Sequence, residues 1–330
     1  MVPTIDLNLN QKSNMTINNP IPYLSEDQLS GLGITTSEII DSIESLISRI
    51  ENQTAWSAPK ATILPDDGRY IMATLAAADD PPFVAVKTLV LNPRNPERGL
   101  PQINGLVTLL DSSSGLPVAI LDGNWITAVR TAALSATAAK HMARKDSSVI
   151  AFIGCGLQAK RHLRAFADLF PLKEARLFGR GQSNIDSLCK EATSLSISPV
   201  VCGSGKEAVT GADLIISSVT YSASLAPFLS AKWLKPGSFS AITDLAGPWE
   251  NESFSELDQI AIDDLEQEAA LSNKLIPTEF VTGDLSGLVL GKFSGRNQNS
   301  DRNAFIFRGH ALGDFALSVL AYQRALKENA

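Results

Sequence analysis

The chain has 330 residues, 44% of them hydrophobic, with 28 Lys and Arg against 35 Asp and Glu for a formal net charge of -7. That length exceeds what one ordinary hydrophobic core serves, so two domains are expected. The acidic balance argues against a nucleic acid or an anionic membrane as partner, no apolar run approaches the ~20 residues of a membrane helix, and Cys155, Cys189 and Cys202 are too scattered for a disulfide framework or zinc ribbon.

The opening residues, MVPTIDLNLNQKSN, are polar and lack the basic and apolar segments of a signal peptide; they read as a loose arm on a cytoplasmic protein. Thr36 or Ser37 caps a helix that carries Ile39, Ile40, Ile43, Leu46, Ile47 and Ile50 along one stripe. From Trp56 to Leu121 short apolar runs are separated by turn residues: Ala61 to Leu64, Tyr70 to Leu75, Phe83 to Leu91, Leu106 to Asp111 and Pro117 to Leu121. They predict a mostly β domain with hairpin turns at Asp67-Gly68 and Ser114-Gly115. Thr127 is the expected cap of an alanine-rich helix running to Ala143, which puts Arg130 in its first turn. A cation there opposes the helix dipole, so another group must hold it.

The stretch from Ser147 to Gly181 reads as strand, glycine turn, helix, strand. Val149 to Ile153 is an apolar run suited to a buried parallel strand, and Gly154-Cys155-Gly156-Leu157-Gln158-Ala159 follows in the G-x-G-x-x-G/A pattern. Gly154 permits a tight turn, Gly156 lets backbone approach a pyrophosphate, and Ala159 permits close helix packing. A helix from about Gln158, with Leu163, Phe166, Ala167 and Phe170 on one face and Pro171 at its end, aims its first amides at the phosphates. The second strand, Ala175 to Phe178, ends in Gly179-Arg180 where NAD enzymes place an acid on the ribose. A guanidinium there suits a 2′-phosphate, so NADPH is the preferred cofactor, with NADH possible. Strands follow at Ala212 to Val219, Ser238 to Thr243 and Gln259 to Asp263, completing an α/β pattern from about 147 to 305; a last helix, Ala311 to Leu326, is expected to return to the first domain. His141, His162 and His310 lack metal-ligand spacing, and no metal is expected.

The segments from Gly99 to Ala139, including ILDGNWITAVRTAA, then IGCGLQA, then Gly309-His310-Ala311-Leu312-Gly313-Asp314 resemble the ornithine cyclodeaminase and mu-crystallin family from roughly Pro59 to the C-terminus. The resemblance implies an α/β fold, with a Rossmann dinucleotide-binding domain (128–307) inserted into a discontinuous α+β substrate-binding and dimerisation domain (1–127 plus 308–330), and hence a homodimer. It matches Arg130 to the arginine that grips the substrate carboxylate, Lys87 to the lysine beside the reacting centre, and Lys60 to a second carboxylate clamp, usually arginine. Gly154, Gly156, Leu157, Gln158, Gly179, Arg180, Thr131, Ser218 and Val219 are assigned to the cofactor.

Family chemistries pass through an imine beside a carboxylate: ornithine cyclisation, reductive amination of pyruvate, and reduction of cyclic ketimines. The lysine that ornithine cyclodeaminases carry after their acid is absent from Thr243-Asp244-Leu245-Ala246-Gly247-Pro248-Trp249, and an NADP-type ribose end fits no enzyme that recycles bound NAD. The expectation is therefore an oxidoreductase acting on C=N: NAD(P)H-dependent reduction of Δ1-pyrroline-2-carboxylate to L-proline, with Δ1-piperideine-2-carboxylate to L-pipecolate as second reaction, since one methylene is worth only ~1–3 kcal/mol. Asp244 reads equally as the proton donor and as a turn former at a strand end. Ornithine cyclodeaminase and alanine dehydrogenase remain alternatives, as does a non-catalytic, NADPH-retaining binding protein of mu-crystallin type.

Overall fold

In the computed structural model, which describes residues 20–220 and 225–328, the chain divides into two compact units, Met1–Arg130 with His310–Ala330, and Thr131–Gly309. The arm expected over the first residues lies outside the described ones.

The first unit holds β1 (Tyr23–Leu24), α1 (Glu26–Gly31), α2 (Thr36–Glu51), β2 (Ala55–Ile63), β3 (Tyr70–Asp79), β4 (Pro82–Leu91), β5 (Ile103–Asp111) and β6 (Pro117–Asp122). Its six-stranded sheet runs β1-β6-β5-β4-β3-β2, antiparallel except for the β1 and β6 pair. Gly68 and Gly115 take φ of +82° and +72°, the left-handed turn conformation that the sequence anticipates there. The α2 cap is Thr35, not Thr36 or Ser37: Thr35 Oγ1 accepts from the Glu38 amide, and Glu38 Oε2 accepts from the Thr35 amide. Such a capping box satisfies two orphan donors at once, which neither later residue achieves. Both α2 and the C-terminal helix, Ala311–Glu328, belong to this unit, and Ser42 Oγ donates to the Ala316 carbonyl between them. Helix α3 (Gly123–Met142) starts four residues before Thr127, because Asp122 Oδ1 accepts from the Trp125 amide and so caps it from the last residue of β6. Arg130 therefore ends the second turn rather than lying in the first, and residues 131–139 are all buried.

The second unit is an eight-stranded parallel sheet: β7 (Val149–Ile153), β8 (Glu174–Phe178), β9 (Ser198–Val201), β10 (Leu214–Ser217), β11 (Phe239–Ile242), β12 (Gln259–Ile262), β13 (Gly283–Asp284) and β14 (Asn303–Ile306). Strand order is β13-β12-β14-β11-β10-β7-β8-β9. Helices α4 (Leu157–Leu169), α5 (Gln182–Ser194), α6 (Gly205–Val209), α7 (Leu265–Ala270) and α8 (Leu285–Val289) connect the strands. Every residue of β10, β11, β12 and β14 is buried, as a parallel sheet covered on both faces requires. From β7 the chain proceeds outward through β8 and β9, then returns to lay β10 on the other side of β7. That reversal opens a crevice at the carboxyl ends of β7 and β10, where doubly wound sheets bind ligands.

Candidate active site

A polar row crosses the otherwise apolar inner face of the first unit's sheet. Thr74 on β3 and Lys87 on β4 are direct cross-strand partners, both buried. On β2 the register shifts between Ala58 and Ala61, so Pro59 and Lys60 together stand opposite Thr74. Asp314, in the first turn of the C-terminal helix among buried Leu312, Phe315 and Ala316, meets this row. Lys87 Nζ donates to Asp314 Oδ1 at 2.5 Å and Thr74 Oγ1 donates to Oδ2 at 3.0 Å. Arg130 Nε lies 3.0 Å from the same Oδ1, an ion pair without hydrogen-bond alignment, and its Nη1 is buried with no hydrogen-bond partner.

Burial is the largest influence on both charges. It drives the Lys87 ammonium down to about 7, aided by the Arg130 and Lys60 charges and opposed by Asp314. Burial pushes the Asp314 carboxyl up, but Arg130, Lys87 and the hydrogen bonds from Lys87 and Thr74 outweigh it and hold the group below the ordinary carboxylate range. Buried ion pairs contribute little net stability, because desolvation offsets the attraction. A buried guanidinium with an unsatisfied edge is a further cost, and its natural complement is a ligand carboxylate. His310, just ahead of the helix, accepts from the Leu312 amide at Nδ1, and its Nε2 lies 3.5 Å from Ser57 Oγ.

The second unit carries a glycine cradle at the β7/β10 crevice. Gly154 has φ of +92°, and a Cβ there would stand 2.6 Å from the Ser218 carbonyl oxygen, so only glycine fits. Gly156, the N-cap of α4, makes no side-chain cap, and open space surrounds the place a Cβ would take. The first amides of α4 thus lack a side-chain acceptor, while Ala159 is packed out of solvent behind them. Leu157 is exposed beside this opening; Gln158 Oε1 and Ser218 Oγ are buried without hydrogen-bond partners. Gly179 packs against Cys155, where a Cβ would stand 3.0 Å from Sγ, and Arg180 is exposed after β8. These residues fit a dinucleotide: a bare helix N-terminus for the pyrophosphate and a guanidinium beyond the next strand. Thr131 is buried on α3. On α4, Ala165 is buried where the stripe places Ala167, which is half-buried. His162 is also buried, bonded through Nδ1 to the Gln158 carbonyl and through Nε2 to Ser135 Oγ, and burial pushes it down to about 4, so it is neutral.

Asp244, just past β11, is buried in the same unit. Its Oδ2 accepts from Ser217 Oγ at 2.5 Å and from the Val219 amide at 3.0 Å, while Trp249 Nε1 donates to Ser217 Oγ at 3.2 Å. Oδ1 is buried without a partner, and burial raises the carboxyl to about 6 against those two hydrogen bonds. Leu245 and Ala246 follow with φ of +58° and +59°, a left-handed backbone costly for residues with a Cβ. Oδ2 thus ties Asp244 to the end of β10, the local turn is closed by the Gly247 amide donating to the Asp244 backbone carbonyl, and Oδ1 is the oxygen left over.

A model of the ornithine cyclodeaminase/mu-crystallin family matches residues 28–329. The chain belongs to this family. Alanine dehydrogenase of Archaeoglobus fulgidus is 30% identical over 261 residues, 75% of this chain and 78% of its own length. Ketimine reductase mu-crystallin of Rattus norvegicus is 32% identical over 221 residues, 65% of this chain and 68% of its own. Among solved structures, Thermococcus litoralis Δ1-pyrroline-2-carboxylate reductase in complex with NADH and L-proline has a TM-score of 0.85 at 25% identity, covering 93% of this chain and 98% of that one. An archaeal alanine dehydrogenase dimer with bound NAD has a TM-score of 0.82 at 25% identity, covering 94% and 97%. The family's mixed α/β fold with its Rossmann sheet is the one the sequence resemblance implies.

Within this family member the sequence singles out Lys60, Lys87 and Arg130, and the structure gathers them in the first unit; Gly154, Gly156, Gln158, Ser218, Val219 and Asp244 lie in the second. Sequence reasoning missed Asp314, the anion on which Lys87 and Arg130 converge, and its support Thr74. The signal for Asp314 is an acid inside the apolar run Leu312 to Val319, and it becomes specific only once the sheet beneath is known. No group of residues able to hold a metal ion occurs among the described residues, and no helix among them is long and apolar enough to cross a membrane.

Proposed function

We propose that this protein reduces a cyclic ketimine carboxylate with a nicotinamide dinucleotide, Δ1-pyrroline-2-carboxylate to L-proline foremost and Δ1-piperideine-2-carboxylate to L-pipecolate as a second reaction. The observation that carries it is the buried Lys87, Asp314 and Arg130 set, which leaves one guanidinium edge free for a carboxylate. The likeness to a pyrroline-2-carboxylate reductase and to ketimine reductases supports the choice of substrate.

Residues of Met1–Arg130 and His310–Ala330 bind the substrate, and those of Thr131–Gly309 bind the cofactor. Arg130 grips the carboxylate in fork geometry and Lys87 adds an ammonium to it, with Lys60 contributing a further positive charge. Asp244 holds a proton at Oδ1, the oxygen its hydrogen bonds leave free, and is the candidate proton donor of the reaction. Gly154, Gly156, Leu157, Gln158, Gly179, Ser218, Val219 and Thr131 hold the dinucleotide, and Arg180 favours its 2′-phosphate. The nicotinamide, when bound, supplies the hydride to the imine carbon. One hydride and one proton complete the reduction of C=N.

The test is oxidation of NADPH and NADH by purified protein with fresh Δ1-pyrroline-2-carboxylate, run beside pyruvate plus ammonia and beside ornithine without reductant. Rapid oxidation with the cyclic imine, faster with NADPH, is expected. Turnover only with pyruvate and ammonia replaces this reading by alanine dehydrogenase, which the identity to the Archaeoglobus protein keeps in view. Proline from ornithine replaces it by the cyclodeaminase, and tight NADPH binding with no turnover by the binding-protein reading. Arg180→Ala should erase the preference between the cofactors.

We assign the unit's outward sheet face to a second copy of the chain. Ile63, Val90 and Leu106 are exposed there around a groove of about 600 Å³ lined also by Ile71 and Ala73, and Leu75 is exposed on the same strand face as Ile71 and Ala73. The related archaeal alanine dehydrogenase is a dimer, which supports a homodimer here.

A further inference from the structure

Lys87, Arg130 and Asp314 are two cations and one anion whose side chains are 0, 7 and 3% exposed. Solvent scarcely reaches them, so an odd charge in the set goes uncompensated. With both cations protonated the set carries one excess positive charge; with Lys87 neutral it balances. A guanidinium keeps its charge in proteins, so Lys87 is the member that yields. The groups facing Lys87 are Lys60 from β2, Thr74 from β3, Arg130 from α3 and Asp314 from the C-terminal helix, with apolar Val107 opposite on β5. Asp314 is the anion among them, and burial with the Arg130 charge wins over it, bringing Lys87 to about 7.

A ligand carboxylate reverses that balance. Placed on the free Nη1 edge of Arg130, it adds one negative charge; Lys60 is only half-buried and its charge is shared with solvent, so the buried set is then neutral only with Lys87 protonated. We propose that Asp314 is the positioning residue that gathers Lys87 and Arg130 on one oxygen as a receptor for a single carboxylate, and that carboxylate entry draws a proton from solvent onto Lys87. The inference rests on the reductase reading for the identity of the ligand. Asp314 does this through geometry: Oδ1 accepts from Nζ and stands 3.0 Å from Nε as its counter-ion, while Thr74 fixes Oδ2.

Titration calorimetry of the full chain with pyrrole-2-carboxylate, a planar mimic of the imine, in two buffers of different ionisation enthalpy reads the protons exchanged. Uptake approaching one proton per chain is expected at pH 8, falling toward zero at pH 6, where Lys87 is already charged. Binding without uptake at pH 8 overturns the inference. Lys87→Met leaves Asp314 paired with Arg130 and should abolish uptake; uptake that persists there belongs to another group and also overturns it. Asp314→Asn keeps an acceptor and removes the charge, so the pH at which uptake sets in should move about a unit or more to the acid side. A merely structural Asp314 would lower Tm and leave that pH unmoved. The same preparation is assayed for imine reduction. Proton-linked binding without reduction sinks the reductase reading alone, reduction without proton uptake sinks this inference alone, and failure of both pyrrole-2-carboxylate and pyruvate to bind sinks the receptor itself.

Discussion

Lys87 Nζ and Asp314 Oδ1 stand 2.5 Å apart with 0 and 3% of their side chains exposed, yet the two residues do not depend on each other equally. Without Lys87, Asp314 keeps Arg130 and Thr74; without Asp314, two cations lose the anion they share. Breaking a buried pair so that charge is left uncompensated costs about 3–5 kcal/mol. Asp314→Ala should lose that much stability in urea titrations, and Lys87→Met, of similar volume, less than half of it. Equal losses would mean that Asp314 is not the shared counter-ion.

In the proposed reaction Arg130 acts on the ligand rather than on the fold. Arg130→Met removes the guanidinium edge that no protein group satisfies, so Asp314 retains Lys87 while the substrate loses its fork. A rise in KM together with a fall in kcat is expected, totalling about 2–5 kcal/mol in kcat/KM. Steady-state kinetics near wild type in this variant would place the carboxylate elsewhere.

The pH profile separates the two titrating groups. Burial raises Asp244 from 3.8 to about 6, so its acid form, the proposed donor, is present below that value and is lost as pH rises through it. kcat/KM should decline about tenfold per pH unit above 6 and more steeply above about 7, where Lys87 also titrates. Asp244→Asn still offers an oxygen to Ser217 and Val219 but has no proton to give, and a loss of about 10²–10⁴-fold is expected. Any decline that remains should begin about a unit higher, where Lys87 titrates. An unchanged profile in Asp244→Asn would leave the residue only as a tie to the end of β10.

Two glycines of one motif, separated by Cys155, should behave differently. Gly154→Ala sets a Cβ against the Ser218 carbonyl at a φ of +92°, a strain of order 1–3 kcal/mol that should lower Tm without any ligand. Gly156 has φ of −80° and open space before it, so Gly156→Ala should melt as wild type does. If a pyrophosphate lies over that space, the added methyl weakens NADPH binding about tenfold or more, ~1.4 kcal/mol, in a fluorescence titration. Undiminished binding would remove the dinucleotide from this loop.

What the sequence discloses follows from how local each signal is. The β7, Gly154 turn, α4 and β8 unit is legible because a buried run, two glycines and a helical stripe all lie within one short stretch. The start of α3 is hidden because its cap, Asp122, is also the last residue of β6, with no polar break between strand and helix. The ends of β2 and β3 pair Ala55 with Ala78 and Trp56 with Ala77, where alanines give no apolar alternation to read. Strand β14 inserts between β11 and β12 although it comes last in the unit, an order set by sheet packing rather than by any residue in Asn303–Ile306. Lys87 and Arg130 stand out as charges in apolar runs. Asp314, on a helix, passes for a solvated position until the sheet beneath it supplies Thr74 and Lys87.

The outward face of that sheet gives the last test. Ile63, Leu75, Val90 and Leu106 are exposed on three paired strands and on β2 at the edge, a contiguous apolar patch of the kind that marks an interface. Leu106 lies on β5 away from the Lys87 row, since its partner Thr88 alternates with Lys87 along β4. Leu106→Asp places a charge in the patch, where burial against a second copy costs several kcal/mol unless the charge is paired. Light scattering should show a dimer in wild type and a monomer in the variant, with Tm lowered as the partner's support is lost. A wild-type monomer, or a variant that stays dimeric, would take this face out of the assembly.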